Sequence, residues 1–509
     1  MTRADANGVD PAARREPTYE SVNEAFLTLE TDLDLFDWRI DGVPVWERIR
    51  FDVNKRLLER LDVLDAAHGR GGDRSRLDAA RDRIDALVDL GHALTTRRPS
   101  RYGDASVLVF AHPRRKRRED GEWWNVRCDP VVARLDDALV LESPHGHGHR
   151  RPARTERLGY LDGVEYRSAF DRRLADGQAL GAADEEWVNR VNSAVRDRFG
   201  VGVAVGEMVS YAFETRRHRL SRYVDLIERV DPNVVVLTVS YGHGKATQIE
   251  ACKRLGVPVV ELQHGVIDPY HMGYSYPGPE RTKRTFPDYL LVYGTFWRDM
   301  VSYPIGDDRV IPAGHPFMES RLPEHDEAAR TERLVFVSQG SIGDRLSRFA
   351  AELAGDPRFT ADIVYKLHPA ETARYPEEYP WLADADLRVA DGSESSLYEL
   401  FASSTAQVGV YSTAVYEGLR FGLRTYIADL PGAVKLRPLV EDGVATPVGS
   451  VDELIEAERT AEDGVAFETE QFFEPNALEG VPAAIRHLRD EGTVATTTEP
   501  DATVAEREP

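Results

Sequence analysis

Cysteine is nearly absent: the 509-residue chain holds only Cys128 and Cys252. Neither stands in a CxxC or Cys/His pattern, which excludes a disulfide framework and a structural zinc site and fits a reducing compartment. Lysine is almost as scarce, at seven of the 64 basic residues against 87 acidic ones, for a formal charge of −23. A field of that sign repels phosphate backbones and excludes nonspecific nucleic-acid binding. It predicts a halophilic surface, acidic and Arg-dominated, that stays soluble in high salt. No apolar run approaches the roughly 18 residues of a spanning helix, and Met1 to Pro17 lacks an apolar leader core. The expectation is a cytoplasmic protein without a secretory signal. Metal-binding acidic pairs are missing as well. Asp32-Leu33-Asp34 falls in helical sequence and Asp384-Ala385-Asp386 in a charged loop, so neither a metal nor another cofactor is expected.

Hydrophobic residues make up 42% of the chain, enough for two cores, and the length requires more than one. Residues 1–17 and 491–509 are polar, small or Pro-containing and read as disordered. Residues 18–100 read as helical: Trp46, Ile49, Val53 and Leu57 keep a three-to-four spacing, and a second amphipathic segment runs from Leu77 to Leu90. The aromatic stretch Phe36 to Trp46 reads as core or interdomain packing. Over 101–322, apolar runs at Ala105 to Ala111, Ala138 to Leu141, Asn233 to Val239, Val257 to Leu262 and Tyr289 to Tyr293 alternate with helical segments. The alternation restarts over 333–475 after a polar linker, Pro323 to Arg333, and a helix over 476–490 follows. Such alternation predicts two parallel sheets wrapped by helices.

The chemistry gathers where apolar runs end. Tyr365-Lys366-Leu367-His368-Pro369 follows Ala361 to Val364, and Tyr411-Ser412-Thr413 follows Ala406 to Val410 and opens a helix that carries Glu417 one turn on. A helix N-terminus flanked by hydroxyls suits a phosphate, and a carboxylate one turn later suits a ribose diol. Lys366, retained where Lys is rare, suits a departing phosphate, with a salt bridge to a neighbouring helix as its structural alternative. Ser338-Gln339-Gly340-Ser341 ends another run and suits close backbone approach to a diphosphate, or a tight turn. In the first half, Gln263-His264-Gly265 places an imidazole at a strand end as a candidate general base, with Asp268 and His271 as weaker candidates. Gly242-His243-Gly244-Lys245 lacks P-loop spacing; His243 reads as facing the cleft or as structural. His315 marks the hinge. Arg114 to Arg118 offers a contact for an anionic lipid headgroup or polyprenyl phosphate, or forms a solvated turn.

Taken in order, Gln263-His264-Gly265, Lys366-Leu367-His368-Pro369 and Ser412-Thr413 with Glu417 resemble the GT-B glycosyltransferases of surface and capsular polysaccharide synthesis. They are similar in particular to the sialyl- and polysialyltransferases and capsule Kdo transferases with HP and SS/ST motifs. The CDP-glycerol glycerophosphotransferases look like a further relative. The resemblance covers about Val234 to Ala428. It implies a GT-B-like α/β fold, with two Rossmann-like doubly wound parallel-sheet domains facing a cleft and a helical N-terminal extension. It implies that His368, Ser412 and Thr413 contact the nucleotide phosphate, that Glu417 holds the ribose, and that His264 lies on the acceptor side. Tyr411 stands where the glycerophosphotransferases have Asp, and no D/E-D/E-G motif stands where it would supply a catalytic base as in the sialyltransferases, which leaves the donor nucleotide open.

The expected activity is metal-independent transfer of a sugar from a nucleotide-activated donor to a glycan or polyprenyl-linked acceptor, at the inner face of the membrane. His264 or His243 would take the acceptor proton. Lys366, His368, Ser338, Gly340, Ser341, Ser412 and Thr413 would hold the donor phosphates. A CDP-polyol phosphotransferase, a nucleotide-sugar epimerase and a noncatalytic carbohydrate-binding assembly protein are the alternatives.

Overall fold

The computed structural model describes residues 17–491 except 64–90, 92–102, 119, 145–147, 175–179, 278–282, 326–328, 393–395 and 462–467. The segment Leu77 to Leu90, residues 1–16 and the tail from 492 lie outside the described residues.

Seven parallel strands form the first sheet: β1 Val107–Ala111, β2 Ala138–Glu142, β3 Leu158–Tyr160, β4 Val234–Leu237, β5 Val259–Leu262, β6 Tyr289–Val292 and β7 Val310–Pro312. Six more form the second: β8 Arg333–Val337, β9 Asp362–Lys366, β10 Arg388–Ala390, β11 Ala406–Gly409, β12 Arg424–Ala428 and β13 Thr446–Val448. Their spatial orders are β7-β6-β5-β4-β1-β2-β3 and β10-β9-β8-β11-β12-β13. Counted within each sheet, both run 3-2-1-4-5-6, the doubly wound Rossmann order, and the first adds a seventh strand. The paired domains make the architecture GT-B-like.

The unbroken apolar runs explain the layers. Every residue of β1, β2, β4 and β5 is buried. Val107 and Val109 pack into one core and Leu108 and Phe110 into another, as a sheet clad by helices on both faces requires. In β8, Leu334 and Phe336 part from Val335 and Val337 in the same way. The cluster that holds Val335 and Val337 also joins the domains: Leu290, Val292 and Trp297 of the first pack with Val415 and Tyr416 of the second.

Helices α1 (Tyr19–Asp32), α2 (Trp46–Arg60), α3 (Ala182–Phe199) and α4 (Val205–Val230) share one core. Trp46, Ile49, Val53 and Leu57 all point into it. Trp38 stacks on Trp187 at 5.6 Å, and the Trp46 indole donates to Glu30 Oε1 at 2.6 Å beside the buried Arg50. The aromatic stretch is therefore core. Further helices relevant below are α5 (His243–Arg254), α6 (Gly343–Ala354), α7 (Thr413–Arg420) and α8 (Ala477–Glu491).

After the second sheet the chain crosses back. Phe296 N–H donates to Gln471 O (3.0 Å), the Trp297 indole to Phe472 O (2.7 Å) and Glu474 N–H to Tyr293 O (2.7 Å). Gly314, at φ +86°, makes room: a Cβ there would meet Glu474 O at 2.3 Å. Glu319 then receives the N–H groups of Ala477 and Leu478 at 2.6 and 3.2 Å, and α8 lays Val481, Ile485 and Leu488 on the first domain's core.

Candidate functional site

In a doubly wound sheet the C-terminal strand ends form the ligand crevice where the strand order reverses. In the second domain this is the gap between β8 and β11. Register places Lys366 beside Val337, and Val408 beside Phe336, so the Ser338 to Ser341 turn, the Lys366 to Pro369 turn and the start of α7 share one edge. Gly418 allows α7 to press on β11, because a Cβ there would sit 2.2 Å from Gln407 Oε1. The Gln407 amide is itself held by Val415 O at 2.8 Å. This packing aims the N-terminus of α7 along the strand end, capped by Ser412 Oγ, which receives Ala414 N–H at 3.2 Å.

The expected residues divide by what they touch. Ser338 is occupied: its hydroxyl donates to Glu371 Oε1 (3.0 Å) and accepts from the Tyr365 hydroxyl (2.8 Å). Glu371 also receives His368 N–H (2.7 Å) and the Tyr379 hydroxyl (2.9 Å), anchoring the HP turn. The Ser341 hydroxyl meets that of Tyr411, and Gly340 completes the turn. His368 Nδ1 accepts from Ala370 N–H at 3.2 Å, which leaves Nε2 as the donor of the neutral ring. Burial, then Arg114 and Lys366, push its pKa down to about 4. Burial and then Lys116 push Lys366 down to about 8. No salt bridge to a helix engages Lys366 among the described residues; its ammonium donates to Leu367 O at 2.8 Å.

Glu417 lies one turn into α7 but is tied across the cleft, with Oε1 3.7 Å from His315 Nε2. His315 stacks on Tyr293 at 4.2 Å and its Nδ1 accepts from Met318 N–H at 3.3 Å, so a neutral ring carries its proton toward Glu417. Burial raises the Glu417 pKa, and His315, Tyr398 and Lys116 outweigh it, leaving the carboxyl below its ordinary range.

From the first domain, β5 ends in Gln263-His264-Gly265 against the start of α7: a Cβ on Gly265 would lie 3.8 Å from Thr413 Oγ1. His264 Nε2 is 3.0 Å from the Tyr241 hydroxyl, and Nδ1 is 3.5 Å from that of Tyr274 and 3.6 Å from Glu261 Oε1. The Tyr274 hydroxyl donates to Glu261 at 2.7 Å. Burial lowers the His264 pKa and Arg127 lowers it further, against Glu261, so the ring is neutral at neutral pH. Asp268 is buried 3.7 Å from Lys435, and His271 packs on Tyr274. His243 departs from the cleft-facing expectation. It pairs with Asp52 of α2 at 3.3 Å and meets Tyr211 of α4 edge-on, because α5 starts beside the N-terminal helices.

Sequence reasoning missed Glu261, Glu371, Tyr241, Tyr274 and Arg127, and named Lys116 only within the Arg114 to Arg118 run. Glu261 carried a signal, a carboxylate inside the apolar strand Val259–Leu262. So did lysine scarcity, since Lys116, Lys245, Lys366 and Lys435 all face this region.

No family model matches the chain, and no curated protein does. Among solved structures it is similar to the UDP-GlcNAc 2-epimerase of Neisseria meningitidis bound to UDP-GlcNAc, with 14% identity, 76% of this chain and 100% of that one covered, and a TM-score of 0.44. It is also similar to the UDP-GlcNAc 2-epimerase of Methanocaldococcus jannaschii, at 10% identity, 75% and 99% coverage and TM-score 0.44. A third is the wall teichoic acid polymerase TagF, at 10% identity, 82% and 96% coverage and TM-score 0.42.

Proposed function

We propose that the protein is a metal-independent glycosyltransferase that moves a sugar from a nucleotide-activated donor, held by the second domain, to a glycan or lipid-linked acceptor held by the first. The observation that carries this reading is electrostatic. In a chain of charge −23, the N-terminus of α7, Lys366, the donor face of His368 and the accessible Lys116 and Arg114 meet at one strand-end crevice. An arrangement of mutually repelling cations suits a nucleoside mono- or diphosphate.

His264 serves as general base. With Nδ1 turned to Glu261 and Tyr274, Nε2 holds the lone pair that faces the Tyr241 hydroxyl, and the acceptor hydroxyl takes the place of Tyr241 there. The acceptor oxygen gives its proton to Nε2 and bonds to the anomeric carbon, and the carbon–oxygen bond to the donor phosphate breaks. Lys366, His368 Nε2–H and the first N–H groups of α7 stabilise the charge left on the nucleotide, the work a divalent metal does elsewhere. Ser412 and Thr413 place that phosphate, and Glu417 exchanges its His315 contact for a ribose hydroxyl.

A lipid-linked acceptor would bring the protein to the inner face of the membrane as a peripheral enzyme of surface-glycan synthesis. No helix among the described residues is long and apolar enough to cross a membrane. The test is a thermal-shift panel of nucleotides and nucleotide sugars in molar KCl, followed by product analysis with the stabilising donor. Specific binding raises the melting temperature by mass action. Failure of every nucleotide to do so overturns the reading, and release of a CMP moiety with polyol phosphate transferred replaces it with phosphotransfer.

A further inference from the structure

The first sheet has its own reversal of strand order, between β1 and β4, and its C-terminal edge is lined by cations. β1 runs into His112, whose N–H donates to Thr238 Oγ1 just past β4 (3.0 Å) and whose carbonyl receives the Asn125 amide (2.8 Å). An antiparallel ribbon, Arg115–Arg117 with Trp123–Asn125, folds the chain back over this edge. Asn125 Oδ1 then receives Arg127 N–H at 3.1 Å, which brings the Arg127 side chain in. Its Nη1 is wholly buried with no hydrogen-bond partner among the described residues. Lys245 stands in the first turn of the 12-residue helix α5, and its charge reaches His112.

Neither Arg127, Lys245 nor Arg114 forms an ion pair among the described residues, whereas Arg115 and Arg118 beside them do. Arg48, Arg374 and Arg424 also leave a buried nitrogen without an acceptor, but each pairs with a carboxylate through another nitrogen, and among the described residues Arg127 does not. The crowding is reciprocal. Burial, then Arg127, Lys245 and Arg114, push His112 down to about 3, and burial pushes Lys245 down to about 8 although Glu165 and Glu261 oppose it.

We infer that this edge is a second anion subsite, separate from the donor crevice, in which Arg127 and Lys245 hold a phosphate group of the acceptor. Assigning that phosphate to the acceptor rests on the transfer reading above; the subsite itself does not. His264 stands between the two sites. Its loop touches Thr413 on the donor side through Gly265, while its ring feels the Arg127 charge on the other. An acceptor pinned by its phosphate would present a hydroxyl to Nε2, and a neutral acceptor would leave the Arg127 nitrogen unsatisfied.

Calorimetric titration of the full chain with inorganic pyrophosphate at fixed KCl tests this. Two classes of site are expected. Arg127→Gln with Lys245→Gln should weaken one class about tenfold or more and spare the other, and Lys366→Met should do the reverse. Arg127→Lys should retain binding. If the double variant melts early, Arg127→Gln and Lys245→Gln taken singly provide the same comparison. A single class of site, indifferent to Arg127 and Lys245, overturns the inference. Cosedimentation with phosphatidic acid vesicles but not neutral ones, lost in Arg127→Gln, assigns the phosphate to a lipid; pyrophosphate binding without cosedimentation assigns it to a soluble acceptor. Nucleotide stabilisation without the second class sinks this inference alone. Arg127-dependent pyrophosphate binding without any nucleotide response sinks the transfer reading and keeps the subsite.

Discussion

His264 can act as a base because burial and Arg127 keep its ring neutral, and Glu261 and Tyr274 engage Nδ1, which leaves the Nε2 lone pair facing the Tyr241 hydroxyl that an acceptor would replace. Replacing it with Ala should lower transfer about 10²- to 10⁴-fold with nucleotide binding unchanged, read by product formation beside a thermal-shift control. Because its folded pKa lies below the ordinary value, the acid limb of the rate profile should fall below about pH 6.5. The unfolded chain binds the proton first, so this residue makes stability rise with pH through that window. Lys366 has the same sign higher up. Its folded pKa of about 8 lies under the ordinary 10.5, so between these values the unfolded state carries more protons and stability rises with pH. An anionic ligand restores the ammonium. Nucleotide binding should therefore take up protons above about pH 8 and weaken as pH rises, measurable by titration in buffers of different ionisation enthalpy. At this scale the turns carrying His264, Lys366, His368 and Ser412 were legible, because polar residues closing apolar runs stand out. Pairings such as Glu371 with Ser338 and His315 with Glu417 were not, since nothing local says which distant side chains will meet.

The element that organises the donor crevice is α7, and its aim depends on close packing against β11. Gly418→Val should force α7 off Gln407 and cost about 1–3 kcal/mol in denaturant unfolding, with weaker nucleotide binding. Helix α8 depends on a cap from outside its own sequence. Glu319→Ala removes the acceptor of the Ala477 and Leu478 N–H groups and should cost about 0.5–2 kcal/mol by the same measurement. The long central strands were legible because both of their faces are apolar. The strands that sequence reading passed over, β3, β7, β10 and β13, are three-residue edge strands. At that length neither periodicity nor composition separates a strand from a loop; pairing with an existing edge decides it.

Across the whole molecule, the two domains and the N-terminal helices meet at Lys435. Its ammonium is 3.7 Å from Asp268 of the first domain and lies over the rings of Tyr19 in α1 and Tyr411 in the donor turn, at 4.4 and 5.1 Å. Lys435→Met strands a buried carboxylate and should cost about 3–5 kcal/mol in unfolding, largely recovered by adding Asp268→Asn. The sequence alone determined the doubly wound class, the two-domain organisation and the strand-end position of the polar turns. Those follow from residue order and short-range chemistry: apolar runs seek both faces of a buried sheet, and polar turns close them. Only the tertiary structure decided that Glu417 meets His315, that His243 belongs to the N-terminal helices, and that Arg127 and Lys245 share one edge with His112. Such meetings join residues far apart in the chain, and they are set by how whole layers pack, which no window of sequence encodes.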